Sequence, residues 1–389
     1  MGLKESINSM TNILFVLSAL IWGDWQFFRA HIRRLWPLWA LGAWLVLYSL
    51  GLIYSSDTAD AGRRLMIKSM LLIWPPSLVL VFPYIKRLHT KQILVSAPVL
   101  FALLCVLRAL MRFFGGGDFS GDTAVFMYYR LSAWLMHPNY LMMFMGAGIV
   151  VLWWERLRRR TLFTQYTDAV LWWFLLLFTG GLLQARTGFI ILMMLLVLVS
   201  MWYVRKQWRS YWKSAIVYPL VVGMSIFLLP PEFGKRYFID TSTEFIPDKE
   251  NDTSFSGRLV IWSHCLSCWE EAFWIGHGPG DGVWRLHQIY EEEGFASGIK
   301  DKYNCHNQYL ETAIATGVLG LLVVALLPAL TLAFWRRNPG VLPLLIFVLF
   351  VYGSMFFESV LERHKGVMVL AVVVGALSLM GLHTSSEHD

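Results

Sequence analysis

Three side chains in this sequence sit where a charged or titrating group is hard to place without a task for it. Arg186 follows Leu-Leu-Gln-Ala between two apolar runs, in a turn too short to reach far into water and with no acid close in sequence. A cation at such a position is costly and is a functional candidate by default. It is either an arginine snorkelling to the headgroups or an anion ligand facing a cavity. Arg258 stands in Thr-Ser-Phe-Ser-Gly-Arg-Leu-Val-Ile-Trp-Ser-His, where Ser254 or Ser256 can cap a helix that runs to about Phe273. Its cation then lies in the first turn, against the macrodipole, with Trp262, Cys265 and Trp269 following on one face. A phosphate shared by the guanidinium and the free amides would reverse that penalty; an ordinary surface arginine is the other reading. His306, in Tyr-Asn-Cys-His-Asn-Gln-Tyr-Leu-Glu, immediately precedes another apolar run. It can serve as a general base near neutral pH or be structural, with Asn304 or Asn307 capping the helix.

Other groups are less specific. Glu358-Ser-Val-Leu-Glu362-Arg363-His364-Lys365 reads as a charged turn, either a salt-bridged brace or the rim of a site that would include Glu358 and Arg363. The run Gly276-His277-Gly278-Pro279-Gly280-Asp281-Gly282 resembles a phosphate loop superficially. Pro279 and the absence of a preceding strand pattern favour a tight turn instead. Cys265, Cys268 and Cys305 lie near His264 and His306. The second cysteine pair of a zinc ribbon is missing, so a disulfide from Cys305 to one of the other two is favoured over a metal site.

The elements that must carry these residues follow from composition. The chain has 389 residues, of which 57% are hydrophobic and only 15% charged, too few charges for the surface of a soluble globule of this size. Runs long enough to cross a bilayer lie near 36–54, 66–85, 93–112, 138–154, 169–185, 187–204, 214–230, 309–335, 340–357 and 366–382, with a weaker one at 11–28 interrupted by Asp24. The expected fold is an all-α polytopic membrane protein of eleven or twelve spans: an N-terminal bundle over 1–230, a large external loop over 231–305, and C-terminal spans with a short tail over 306–389. No cleavable signal peptide is expected.

The net charge of +7 divides unevenly, because 231–305 carries 13 acidic against 7 basic residues, leaving +13 elsewhere. Loops 29–34, 86–91, 155–160, 205–213 and 336–337 hold 16 Lys/Arg, with Glu155 their only acid. Loops 55–65, 113–136, 182–187 and 358–365 hold 6 Lys/Arg. The positive-inside rule puts the first set in the cytoplasm and 231–305 outside. Basic residues spread in this way are orientation signals and do not form a nucleic-acid surface.

The order of the motifs resembles the O-antigen ligase superfamily of bacterial envelope glycosyltransferases, which includes O-antigen polymerases and protein O-oligosaccharyltransferases. The resemblance covers the layout and rests on Arg186-Thr-Gly, Arg258 with Trp262, the turn at Gly276, His306-Asn307-x-x-Leu310 followed by Gly317-x-x-Gly320, and His137-Pro138-Asn139. Ala315 departs from it, since the family often has an acid two positions before the first of those glycines. The resemblance implies a glycosyltransferase of the C type in the inner membrane, its active site facing the periplasm. The implied donor is an undecaprenyl-pyrophosphate-linked glycan and the implied acceptor a lipid A–core sugar, with no metal ion or cofactor. It makes Arg186 and Arg258 the pyrophosphate ligands and His306 the base of an inverting displacement, with Asn307 and Trp262 in support. A polymerase would use the same donor. A lipid-linked glycan transporter would instead need broken helices and charges at the bilayer midplane.

Overall fold

The computed structural model describes residues 2–85, 87–115, 120–158, 160–206 and 255–382, and every regular element among them is helical. Long apolar stretches have this outcome because lipid offers no partner for backbone amides, which must be satisfied within the segment. In chain order the helices are α1 (Gly2–Trp22), α2 (Trp25–His31), α3 (Pro37–Gly51), α4 (Thr58–Val81), α5 (Arg87–Phe114), α6 (Tyr128–Ser132), α7 (Pro138–Leu157), α8 (Gln165–Leu177), α9 (Arg186–Lys206), α10 (Phe255–Glu271), α11 (Gly282–Glu292), α12 (Ala296–Asp301), α13 (Gln308–Arg337), α14 (Leu342–Ser354) and α15 (His364–Leu382). The expected span near 214–230, the first third of the external loop and the Ser254 cap lie outside the described residues.

The chain is a polytopic helical membrane protein. Five helical segments are long and apolar enough to cross a bilayer: Thr58–Tyr84, His89–Phe114, Pro138–Leu157, Gln165–Leu183 and Gln308–Arg337. A sixth is possible if Met10–Trp22 and Trp25–His31, bent by 94°, form one span. Four of the other expected segments are helical with shorter apolar stretches, Pro37–Gly51, Arg186–Trp202, Pro339–Ser354 and His364–Met380. Pro37–Gly51, for example, has 15 residues, about 22 Å of helix against about 30 Å of hydrocarbon. Hydropathy windows run through caps and loop aromatics, so the expected count of eleven or twelve exceeds the described helices of full span length. Asp24, read as an interruption, has a local role: its carboxylate caps α2 by accepting from Phe27 N at 2.8 Å.

The chain divides into two compact units, one formed by 1–90, 242–348 and 355–389 and the other by 91–241 and 349–354. In the first, α4 packs against α15, α3 and α1, while α13 packs against α3. Helices α10 and α11 share a core with Ile261, Cys265, Cys268, Leu286, Ile289, Tyr290, Phe295, Cys305 and Ile314. In the second, α7 is buried along almost its whole length between α8 and α9. His137 caps α7 by accepting from Asn139 N at 3.4 Å, ahead of Pro138 at the first helical position. Glu155, the lone acid of the basic loops, pairs with Lys91 at 2.6 Å, and both side chains are buried.

The segment between α10 and α11 meets α13 at an interruption at Gly317, where φ is 62° and ψ −155°. The carbonyls of Ile314 and Ala315 would accept from Val318 and Leu319 in a continuous helix. They accept instead from His277 N at 2.9 Å and Gly278 N at 3.0 Å. The freed amides of Val318 and Leu319 donate to Phe273 O at 3.0 Å and Trp274 O at 3.5 Å. The glycine turn read from the sequence is thus a plug that completes the backbone pairing of a broken helix.

Candidate functional site

The candidate site is built on the N-terminal head of α13 and on α10, both in the first unit. Asn307 is the N-cap of α13, its side-chain oxygen accepting from Tyr309 N at 2.9 Å and Leu310 N at 3.2 Å. That is the capping role read for it as the alternative to a site role. His306 lies just outside the cap, half-buried, with φ at 44°. A non-glycine residue with positive φ is uncommon, although histidine tolerates it better than most. Its amide donates to Asn304 Oδ1 at 3.2 Å, and its ring packs against Tyr303 with centroids 5.9 Å apart.

Helix α10 is fastened to the residue before His306. Cys265 and Cys305 form a disulfide with Cα atoms 6.2 Å apart, and Trp262 Nε1 donates to Cys305 O at 3.1 Å. The helix face expected to carry Arg258, Trp262 and Cys265 therefore faces the His306 segment. Arg258 lies in the first turn of α10, half-buried, and pairs with no carboxylate among the described residues. Cys268, the other candidate for the disulfide, is a buried free thiol, and burial pushes its pKa up to about 12.

Arg186 belongs to the second unit. It is the first residue of α9, half-buried, and follows a wide π-helical turn over Phe178–Leu183. Gln184 then takes a left-handed conformation with φ at 49°. Such turns recur at functional positions. The structure therefore brings Arg258, Trp262, His306 and Asn307 together in one unit, and sets Arg186 at a helix start in the other.

The charged turn 358–365 acts through Glu362. Its carboxylate meets Lys68 Nζ at 2.9 Å, Arg64 Nη1 at 2.9 Å and Gln308 Nε2 at 3.0 Å. Burial pushes its pKa up, but Lys68 and Arg64 outweigh burial and hold it down at about 2. Arg363 is exposed and Glu358 half-buried. The brace read for this turn is present, with Glu362 as its centre. Sequence reasoning missed the acid beside the candidate base. Glu311 is 2% exposed, accepts from Cys305 N at 3.1 Å, and faces Arg64 at 3.5 Å. A carboxylate in the first turn of a helix reads in sequence as an ordinary complement to the dipole, so only its spacing from His306 hinted at more.

Residues 169–325 match the family model described as O-Antigen ligase. A protein of Haemophilus influenzae described as uncharacterized is 24% identical over 123 residues. That stretch is 31% of this chain and spans only 31% of the relative's length. Arg186, Arg258, Trp262, His306, Asn307 and both glycines of the α13 interruption motif fall inside the family match, whereas Glu358 and Arg363 fall outside it. Over 169–325, the segment that carries the candidate base and both arginines, the chain is similar to the O-antigen ligase family.

Proposed function

We propose that this protein is an O-antigen ligase of lipopolysaccharide biosynthesis, transferring glycan from undecaprenyl pyrophosphate to a lipid A–core sugar at the periplasmic face of the inner membrane. The observation that supports the reading best is the assembly around His306. A histidine with left-handed backbone stands at the head of a membrane helix and is tied by its neighbour to the helix that carries Arg258, all within the segment matching the ligase family.

The chemistry assigns one task to each group. His306 accepts the proton of the acceptor hydroxyl, a poor nucleophile until a base is within hydrogen-bond reach. The hydroxyl oxygen forms its bond to the anomeric carbon as the bond from that carbon to the pyrophosphate oxygen breaks, inverting the centre. Arg258 and Arg186 are assigned, each on its own chemistry, to the pyrophosphate, whose departing charge guanidinium groups neutralise through paired hydrogen bonds. Asn307 and Trp262 fix the histidine segment, and Glu358 and Arg363 are supporting residues at the rim of the site.

A lipopolysaccharide gel from a deletion strain tests the reading when the strain is complemented with wild type or with His306→Ala. Ligase activity predicts core without any polymer in the deletion and in the His306→Ala strain, with the variant accumulating normally. A core bearing one repeat unit would indicate a polymerase. Unchanged lipopolysaccharide would falsify both.

A further inference from the structure

His306 holds a backbone conformation that persists only where its surroundings over-determine it, and the surroundings act through Cys305. All three polar handles of that residue are taken. Its sulfur is bonded to Cys265, its carbonyl oxygen accepts from Trp262 Nε1 at 3.1 Å, and its amide donates to Glu311 Oε2 at 3.1 Å. The peptide before His306 is therefore held from α10 on one side and α13 on the other.

Glu311 is fixed in its turn. Its second oxygen faces Arg64 Nη1 at 3.5 Å, and that arginine is also gripped by Glu362 at 2.9 Å and Asp60 at 2.8 Å. Burying a carboxylate is unfavourable unless it is paired and hydrogen-bonded. The α4 arginine supplies the pairing, and Cys305 N is the backbone donor among the described residues.

We propose that Glu311 and Trp262 are positioning residues for the transfer reaction. With the Cys265–Cys305 disulfide they hold the Cys305 peptide so that the left-handed backbone of His306 presents its imidazole to the acceptor hydroxyl. Neither side chain touches a reacting atom. The inference rests on the reading of His306 as the base, and goes beyond it by naming what makes that base competent.

The test uses full-length protein in nanodiscs with a polyprenyl-pyrophosphate-linked glycan and lipid A–core. kcat, KM and the pH–rate profile are measured for wild type, His306→Ala, Glu311→Leu, Glu311→Gln and Trp262→Phe. Misplacing a base by about 1 Å costs on the order of a hundredfold. Glu311→Leu should therefore lower kcat by roughly ten- to a hundredfold, with donor KM within about twofold of wild type. Glu311→Gln retains an oxygen that can accept from Cys305 N and should recover much of the loss. Trp262→Phe should lower kcat with KM unchanged and, like Glu311→Leu, shift the acidic limb of the profile. A purely structural role would reduce the folded fraction and leave that limb in place, which overturns the proposal. So would wild-type kcat in both Glu311→Leu and Trp262→Phe while His306→Ala is inactive, and the base reading would then survive. Full activity of His306→Ala would overturn the base reading itself, and the proposal with it. If Glu311→Leu does not accumulate, Trp262→Phe decides by the same criteria.

Discussion

The roles proposed for His306 and Arg258 depend on geometry that single atoms can break. Removing a general base costs on the order of 10²–10⁴ in rate, so His306→Ala should reduce transfer by that factor in a purified assay while the protein still inserts. Arg258 lies in the first turn of α10, where a point charge would neutralise part of a phosphate but could not match two of its oxygens. Arg258→Lys should accordingly lower kcat by about tenfold or more, the equivalent of one charge-assisted hydrogen bond. Activity near wild type would mean a surface role for this arginine. These residues stand out as candidates in the sequence because a cation in a helix first turn and a histidine just before an apolar run are local features. Glu311 does not, because its meaning comes from Arg64, separated from it by 247 positions.

At the scale of elements, the interruption in α13 depends on two glycines, Gly276 of the turn read in the sequence and Gly317 of the motif. A Cβ on Gly317 would lie 2.3 Å from the carbonyl carbon of Trp274, and one on Gly276 would lie 2.4 Å from Thr316 N. Both residues also have positive φ, 62° and 68°. The interruption in α13 thus needs glycine on each strand of the crossing, since any side chain would push the plug out of the helix. Gly317→Ala should destabilise the protein by about 1–3 kcal/mol from backbone strain, with the clash adding to it. Gly62→Ala in α4 is the matched control: nothing lies within 4 Å of its Cβ position, and alanine favours a helix interior by up to about 1 kcal/mol. Thermal unfolding of both variants in detergent checks the contrast. An equal midpoint for the two would show that the crossing tolerates a side chain.

At the scale of the whole molecule, the N-terminal parts of α4 and α13 and the 358–365 turn are joined by one buried charge cluster in the first unit. Lys68 is 0% exposed and donates to Glu362 and to Leu361 O at 3.3 Å, with its ammonium 4.2 Å from the Tyr48 ring centroid. Breaking such a pair by removing one partner costs about 3–5 kcal/mol, because the other charge is left buried. Glu362 has a folded pKa near 2, below the unfolded value of about 4.3. Its contribution is therefore complete above the unfolded pKa and is lost as pH falls from there through about 2. Glu362→Gln should melt well below wild type at neutral pH, with the gap narrowing across that acidic window. A gap independent of pH would mean that the carboxylate's charge is not what stabilises the cluster.

Hydropathy and the distribution of Lys and Arg sufficed to identify a membrane protein built from helices. Lipid leaves the backbone no other solution, and charge near a span end is a local property of the chain. The same local logic picked out Arg186, Arg258 and His306. Folding alone chose Cys265 over Cys268 as the partner of Cys305. Both thiols occupy nearly the same face of α10 in sequence, and only the crossing of α10 over the head of α13 brings one Cα to 6.2 Å from Cys305. Folding also set Glu311 against Arg64 of α4, and let Lys68 be buried by meeting Glu362 from a distant turn. Contacts of this kind depend on where helices cross, which no periodicity along a single helix encodes.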